Sequence, residues 1–262
     1  AAVFGTPMAA AVFAMEVVSV GVMYYAALLP CVIASIIAAE FATGVGLNPE
    51  TFPVARIPQL SVESGLKMAV IAAGCGLLSI LFCVALKAVS GIYGKYLKNP
   101  YLRVCVAGCL VIGITMLLGT GDYMGAGNEL IAKAVEQGKA RPLDFLWKMI
   151  LTAITMRAGY RGGEIVPAFS VGATFGCVAG GLLGFSPEVA AAASMVALFC
   201  GVTNCPIASM LISFELFGFS GAAYYLIAIS ISYALSGYYS LYKDQTIVYS
   251  KYKARYINKK TH

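Results

Sequence analysis

Apolar blocks of membrane-spanning or nearly spanning length follow one another along the whole chain, at residues 8–43, 65–90, 101–119, 143–158, 165–184, 189–214 and 220–241. A bilayer core takes about 20 helical residues for a straight crossing. The first block has room for two segments, and several later blocks are too short to cross alone. The runs are continuous instead of alternating every second residue, which predicts helices and not the strands of a membrane barrel. With 60% hydrophobic and 11% charged residues and a mean hydropathy of +0.83, the chain cannot assemble a water-soluble surface. The predicted fold class is therefore all-α and polytopic, with residues 1–262 forming one transmembrane domain in a lipid bilayer.

Short apolar segments interrupted by glycine and proline suggest helices that stop partway through the membrane. Such broken backbone is tolerated only where protein shields it or where it lines a water-filled cavity, which is the anatomy of a transporter or channel. The net charge of +6 is not a nucleic-acid signal, because the basic residues gather over 87–103, at Arg157 and in the tail after Tyr242, flanking apolar runs. The positive-inside bias then assigns the tail to the cytoplasm.

The eight cysteines form no CxxC. Cys105 and Cys109 share a helical face without a histidine or carboxylate beside them, so all eight read as small buried hydrophobes and no metal site is predicted. His262 is the only histidine. A histidine-based catalytic or metal centre is thereby excluded, and the sequence implies neither an enzyme nor a cofactor.

Two stretches echo each other. Proline at Pro7 and at Pro206 follows a short turn, an alanine comes two residues later, and a glutamate comes nine residues later, at Glu16 and Glu215. Proline suits a helix's first turn, which places each glutamate about two and a half turns on, near the other end. The expectation is a pair of equivalent elements in two structural repeats, with residues 1–50 closing the first and 66–262 forming the second. Repeats of this kind build a substrate site where they meet at the midplane. Glu16 and Glu215 read as structural carboxylates at helix ends, with a place on an ion path left open. Between the repeats, 51–65 is expected to be a surface connection. Residues 87–103 should end one long helix in glycine turns, and 118–145 should carry a short amphipathic helix.

The most unusual stretch is Gly162-Gly163-Glu164-Ile165-Val166-Pro167. Pro167 suits the first turn of a helix continuing to Gly180. The glycine pair permits a backbone turn, leaving the amides near Glu164, Ile165 and Val166 without intrahelical partners. Those donors, at the positive end of a helix dipole, make an anion site without a basic side chain. Partial charges can release a halide that a lysine would hold too tightly. Glu164 has two readings: a cap of the first turn, or a carboxylate that accepts a proton or blocks a pore, since an ionised group there is costly. Gly172, Gly176 and Gly180 predict a small-residue face for close helix packing. The tail is expected to be a mixed helix starting near Asp244 or Gln245, with Tyr249 either an interfacial anchor or an uncharged donor to a halide.

Three stretches, in order, resemble the CLC family of chloride channels and anion/proton antiporters. GGEIVPAFSVGATFG is similar to the second-half selectivity motif, FGTPMAAAVFAMEVV to the helix after the first-half motif, and IVYSKYK to the segment bearing the central tyrosine. The resemblance implies an inverted-repeat fold with tilted and broken helices, and a homodimer with a pore in each subunit. It also implies anion coordination around Gly163, Glu164, Ile165 and Val166 together with Tyr249. Chloride-transporting members usually carry an apolar residue at Glu164 and phenylalanine at Ile165. A glutamate at the first position looks like the bacterial branch that includes fluoride/proton antiporters, where it takes part in gating or proton coupling. Val166 departs from the threonine of fluoride exporters, and the first-half gating glutamate is expected before Ala1. The implied function is transport of chloride or fluoride in a bacterial inner membrane, coupled to protons. A passive channel and, less favoured, an organic-anion carrier are the alternatives; the carrier would want an arginine or lysine inside the membrane to clamp its cargo, whereas Arg157 and Arg161, the ones near the motif, are expected at its aqueous edge.

Overall fold

A computed structural model describes residues 1–47, 49, 51–54, 57–253 and 255–261. His262, and Ala55 and Arg56 of the expected connection, lie outside the described residues. The elements run α1 (Pro7–Glu16), β1 (Ser19–Val20), α2 (Leu28–Gly44), α3 (Val62–Tyr96), α4 (Pro100–Leu118), α5 (Asn128–Glu136), α6 (Asp144–Ala158), α7 (Ile165–Leu182), α8 (Pro187–Thr203), α9 (Pro206–Phe217), α10 (Ala222–Leu235), β2 (Thr246–Tyr249) and β3 (Tyr256–Lys260). Four helical segments are long and apolar enough to cross a membrane, namely 25–44, α3, α4 and α7. At 1.5 Å per residue the 35-residue α3 is roughly 50 Å long, more than a bilayer core, so it must tilt or project.

Helix α8 is the centre of the molecule, with every residue from Val189 to Thr203 buried. That buried run is all apolar or small, which suits a helix surrounded on every side. Helices α3, α5, α7, α9 and α10 all pack on it. The α7 contact is closest because the glycines permit it. A Cβ on Gly172 would sit 2.6 Å from the Ser194 carbonyl oxygen, and one on Gly176 would collide with the Ala190 carbonyl oxygen. The expected small-residue face is therefore the α7–α8 seam.

The 189–214 block is split. Asn204 adopts a left-handed conformation (φ 60°) at the end of α8, and Pro206 starts α9 two residues later. Helices α1 and α9 are antiparallel and clamp each other. The Glu16 carboxylate accepts from the N–H groups of Ile207 and Ala208 (3.1 and 2.8 Å), while Glu215 accepts from Met8 and Ala9 (2.9 Å each). In both helices proline holds the first position and has no N–H, so each carboxylate takes the next two orphan donors. The paired sequence spacing is thus one interaction made twice, about an approximate two-fold axis.

Three expectations are corrected. Helix α3 continues through Gly91 and Gly94 to Tyr96, because a glycine inside a helix weakens it by only about 1 kcal/mol; the chain turns instead at Leu97–Asn99, ahead of Pro100. The tail is not helical. Its β-branched Thr246-Ile247-Val248 forms β2, which pairs parallel with β1 (Ser19 to Thr246, Val20 to Ile247) and antiparallel with β3. Finally, Cys105 and Cys109 are exposed and Cys31 is half-buried, while the other five cysteines are buried. Helix α4 packs chiefly on α6, so its outer face, with Leu110, Ile112, Met116 and Leu117, looks outward.

Candidate anion site

The site grows from the junction of α6 and α7. Helix α6 ends in Gly159, whose positive φ of 113° suits a residue without Cβ. The reversal therefore happens there and not at Gly162 or Gly163, neither of which has a positive φ. What Gly163 contributes is space, because a Cβ built on it would meet nothing within 4 Å.

Glu164 is the N-cap residue of α7 by position only, since its side chain accepts no cap hydrogen bond. Its carboxylate pairs instead with Arg157, the last basic residue of α6 (Oε1 to Nη2, 2.7 Å), with the two side chains 20% and 22% exposed. Of the two readings of Glu164, the capping one is set aside by this geometry. Pro167 at the third position has no N–H, and Ala168 donates to the Glu164 carbonyl (3.2 Å). The N–H groups of Ile165 and Val166 are bonded to no acceptor among the described residues. The contrast with α1 and α9 is direct: there a glutamate from the opposite helix takes the equivalent donors, and here none does.

Arg157 was expected at the aqueous edge of the motif. The structure makes it the counter-charge of Glu164 instead. Its Nε is buried without a hydrogen-bond partner among the described residues. Lys243 also acts electrostatically on Glu164, from the tail.

Two tyrosines of the tail occupy different places. Tyr249, in β2, is 47% exposed, its ring edge-on to Tyr256 (5.9 Å), and no hydrogen bond or ring contact among the described residues joins it to residues 163–166. Tyr242 is half-buried, its ring 6.5 Å from Phe13 of α1, and it lies within electrostatic reach of Glu164. Burial, then the neighbouring Cys205 and Glu164, push its phenol up to about 12, so it stays a protonated donor. Gln245 fixes this segment. Its amide donates to the carbonyls of Val17 (2.9 Å) and Thr203 (2.7 Å) and accepts from Asn204 (3.0 Å), joining the ends of α1 and α8. The Lys251 ammonium closes the same junction on Asn204, Ser236 and the Tyr233 carbonyl. Tyr242 is a site residue that the sequence reading passed over, and the pairing of Arg157 with Glu164 is a contact it did not foresee. The one available signal was their position at the polar ends of apolar runs.

Helices broken at buried polar points, with antiparallel halves clamped through carboxylates, define a polytopic membrane protein of the channel and transporter class. The family model described as voltage gated chloride channel matches residues 1–237, and the chain belongs to this family, the CLC proteins. It is 34% identical over 260 residues to a chloride/fluoride channel protein of Pseudomonas syringae pv. tomato, covering 96% of this chain and 57% of that one. A solved CLC-type fluoride/proton antiporter superposes with a TM-score of 0.88 at 30% identity, over 92% of this chain and 61% of that one. A slow cyanobacterial Cl⁻/H⁺ antiporter superposes at 0.69 with 18% identity, over 89% of this chain and 57% of that one, a likeness of fold alone. The chain thus spans about three fifths of the length of these relatives.

Proposed function

We propose that the protein carries a halide, fluoride in preference to chloride, across a bacterial inner membrane in exchange for protons. The anion is held by the main-chain N–H groups of Ile165 and Val166, in the space left by Gly163, with Glu164 as a proton-coupling or gating carboxylate. The observation that carries this reading is that α7 starts with unspent donors while its own N-cap carboxylate turns away to Arg157. A tyrosine hydroxyl completes the coordination. Tyr242, near Glu164, is better placed than Tyr249, the residue favoured from sequence.

The preference for fluoride and for exchange rests on Glu164 and on the likeness to a fluoride/proton antiporter at 30% identity. A passive channel is the second reading, favoured by the description of the Pseudomonas relative. The apolar outer faces of α2 and α4 suit hydrocarbon or the surface of a second subunit, in keeping with a homodimer whose C-terminal tails lie in the cytoplasm.

The deciding experiment reconstitutes the full-length protein in liposomes and follows fluoride and proton movement together. Exchange predicts that a fluoride gradient drives protons uphill; fluoride flux indifferent to pH and unable to move protons would establish the channel instead. Glu164→Gln is expected to retain halide binding and lose proton coupling. An unchanged proton-to-anion ratio in that variant would remove Glu164 from the mechanism.

A further inference from the structure

The tail beyond α10 concentrates charge of one sign. Residues 243–261 hold six basic side chains, Lys243, Lys251, Lys253, Arg255, Lys259 and Lys260, against one carboxylate, Asp244. Lys251 is spent inside, on Asn204 and Ser236, and Lys260 pairs with Asp244 (3.3 Å). Lys253, Arg255 and Lys259 are exposed and have no ion-pair partner among the described residues. Lys253 and Arg255 stand at the tip of the β2–β3 hairpin, where the Ser250 N–H donates to the Arg255 carbonyl (2.9 Å), and the exposed rings of Tyr252 and Tyr256 flank them. Two contacts fix the height of this tip. The Tyr252 hydroxyl donates to the Ala234 carbonyl (2.7 Å) in the last turn of the apolar α10. Strand β2 is paired to β1, which exposed Tyr24 and Tyr25 follow, leading into the outward-facing apolar segment 25–44. The sheet therefore lies where two apolar helices meet water, with tyrosines at the depth of lipid headgroups. Charge on an edge strand also discourages strand pairing, which accounts for Lys259 but not for Lys253 and Arg255, outside the ladder.

We propose that the β2–β3 hairpin is a docking surface for anionic phospholipids of the leaflet beside it, with Lys253, Arg255 and Lys259 donating to the headgroup phosphates. The tyrosine rings settle at the boundary of headgroup and acyl chain, where an apolar body and a polar tip are both satisfied. Each basic residue near an anionic leaflet raises its population there roughly fivefold, so the three together supply on the order of a hundredfold. A zwitterionic leaflet carries no net charge and draws the hairpin far less. Docking thus follows lipid charge, and it does not depend on which ion the protein carries or on whether protons move with it.

The test follows amide hydrogen exchange of the tail in full-length protein, held at constant pH in nanodiscs of phosphatidylcholine alone or with about 30% phosphatidylglycerol. The anionic lipid is expected to slow exchange over residues 246–261 about tenfold and to leave the buried α8 unchanged. Roughly 0.5 M salt should erase the difference. The triple variant Lys253→Gln, Arg255→Gln, Lys259→Gln should lose the protection. Its charge-keeping counterpart, Lys253→Arg, Arg255→Lys, Lys259→Arg, should retain it, as expected of a diffuse charged surface. Equal exchange in the two lipids, a difference insensitive to salt, or full protection in the glutamine variant overturns the proposal, as does its loss in the charge-keeping one. Millimolar inorganic phosphate that protects the tail equally in neutral nanodiscs would assign the surface to free phosphate instead of lipid. Protection by transfer RNA in neutral nanodiscs that exceeds the effect of the anionic lipid would assign it to nucleic acid, and either result would overturn lipid docking.

Discussion

A carboxylate at a helix N-terminus ordinarily bends back onto the first-turn N–H groups, an arrangement worth about 1 kcal/mol. Glu164 does otherwise because Arg157, one short turn away across Gly159, offers a full positive charge at 2.7 Å in a setting where both groups are largely screened from water. Charge-assisted pairing outweighs capping, and the helix keeps its donors for another anion. At this scale the account predicts that Tyr242→Phe raises the half-saturating halide concentration about tenfold, the loss of one hydrogen bond to a charged acceptor, as read from flux curves. Tyr249→Phe should stay within about twofold; the reverse order would restore Tyr249 as the ligand. Glu164 was legible in the sequence because glycine and proline on either side of a lone carboxylate are unusual in an apolar chain. Tyr242 was not, because its proximity to Glu164 depends on Gln245 tying the tail to the ends of α1 and α8, contacts 228 and 42 residues apart in the sequence that leave no local pattern.

Among the elements, the reciprocal clamp of α1 and α9 is the strongest structural statement. Each carboxylate accepts two main-chain N–H groups, and Glu16 is only 6% exposed. Glu16→Gln or Glu215→Gln keeps the shape but removes the charge and one acceptor oxygen, for an expected loss of about 2 kcal/mol each, visible as a lowered Tm in detergent or lipid. A Tm within experimental error of the parent in both variants would show that the clamp does not stabilise the pair. The spacing from proline to glutamate could be read from the sequence, but the partner could not, since it lies about two hundred positions away. The tail misled for a related reason. Isolated, the tail from Asp244 or Gln245 onward reads as a mixed helix; in place, the backbone of Ser19–Val20 supplies a strand partner, and β-branched Thr246, Ile247 and Val248 accept it.

For the whole molecule, composition was decisive: so apolar a chain must be a membrane protein, and its short, interrupted runs became the broken helices α1, α8 and α9. The depth of burial of α8 was not legible, because 189–214 reads as one span until Asn204 breaks it. The outward apolar faces of α2 and α4 lead to a prediction about assembly. Native mass spectrometry from lipid, or subunit counting by single-molecule bleaching, should find two copies of the full-length protein per particle; a monomer fully active in transport would contradict the homodimer.

The central claim is that a halide is held by main-chain donors at the start of α7. Its most direct measurement is a fluoride titration of full-length protein labelled with ¹⁵N at isoleucine and valine, following the amide resonances of Ile165 and Val166. The account predicts saturable shifts of both amides, with the same half-saturation as transport. Amides that stay still while transport saturates would contradict it.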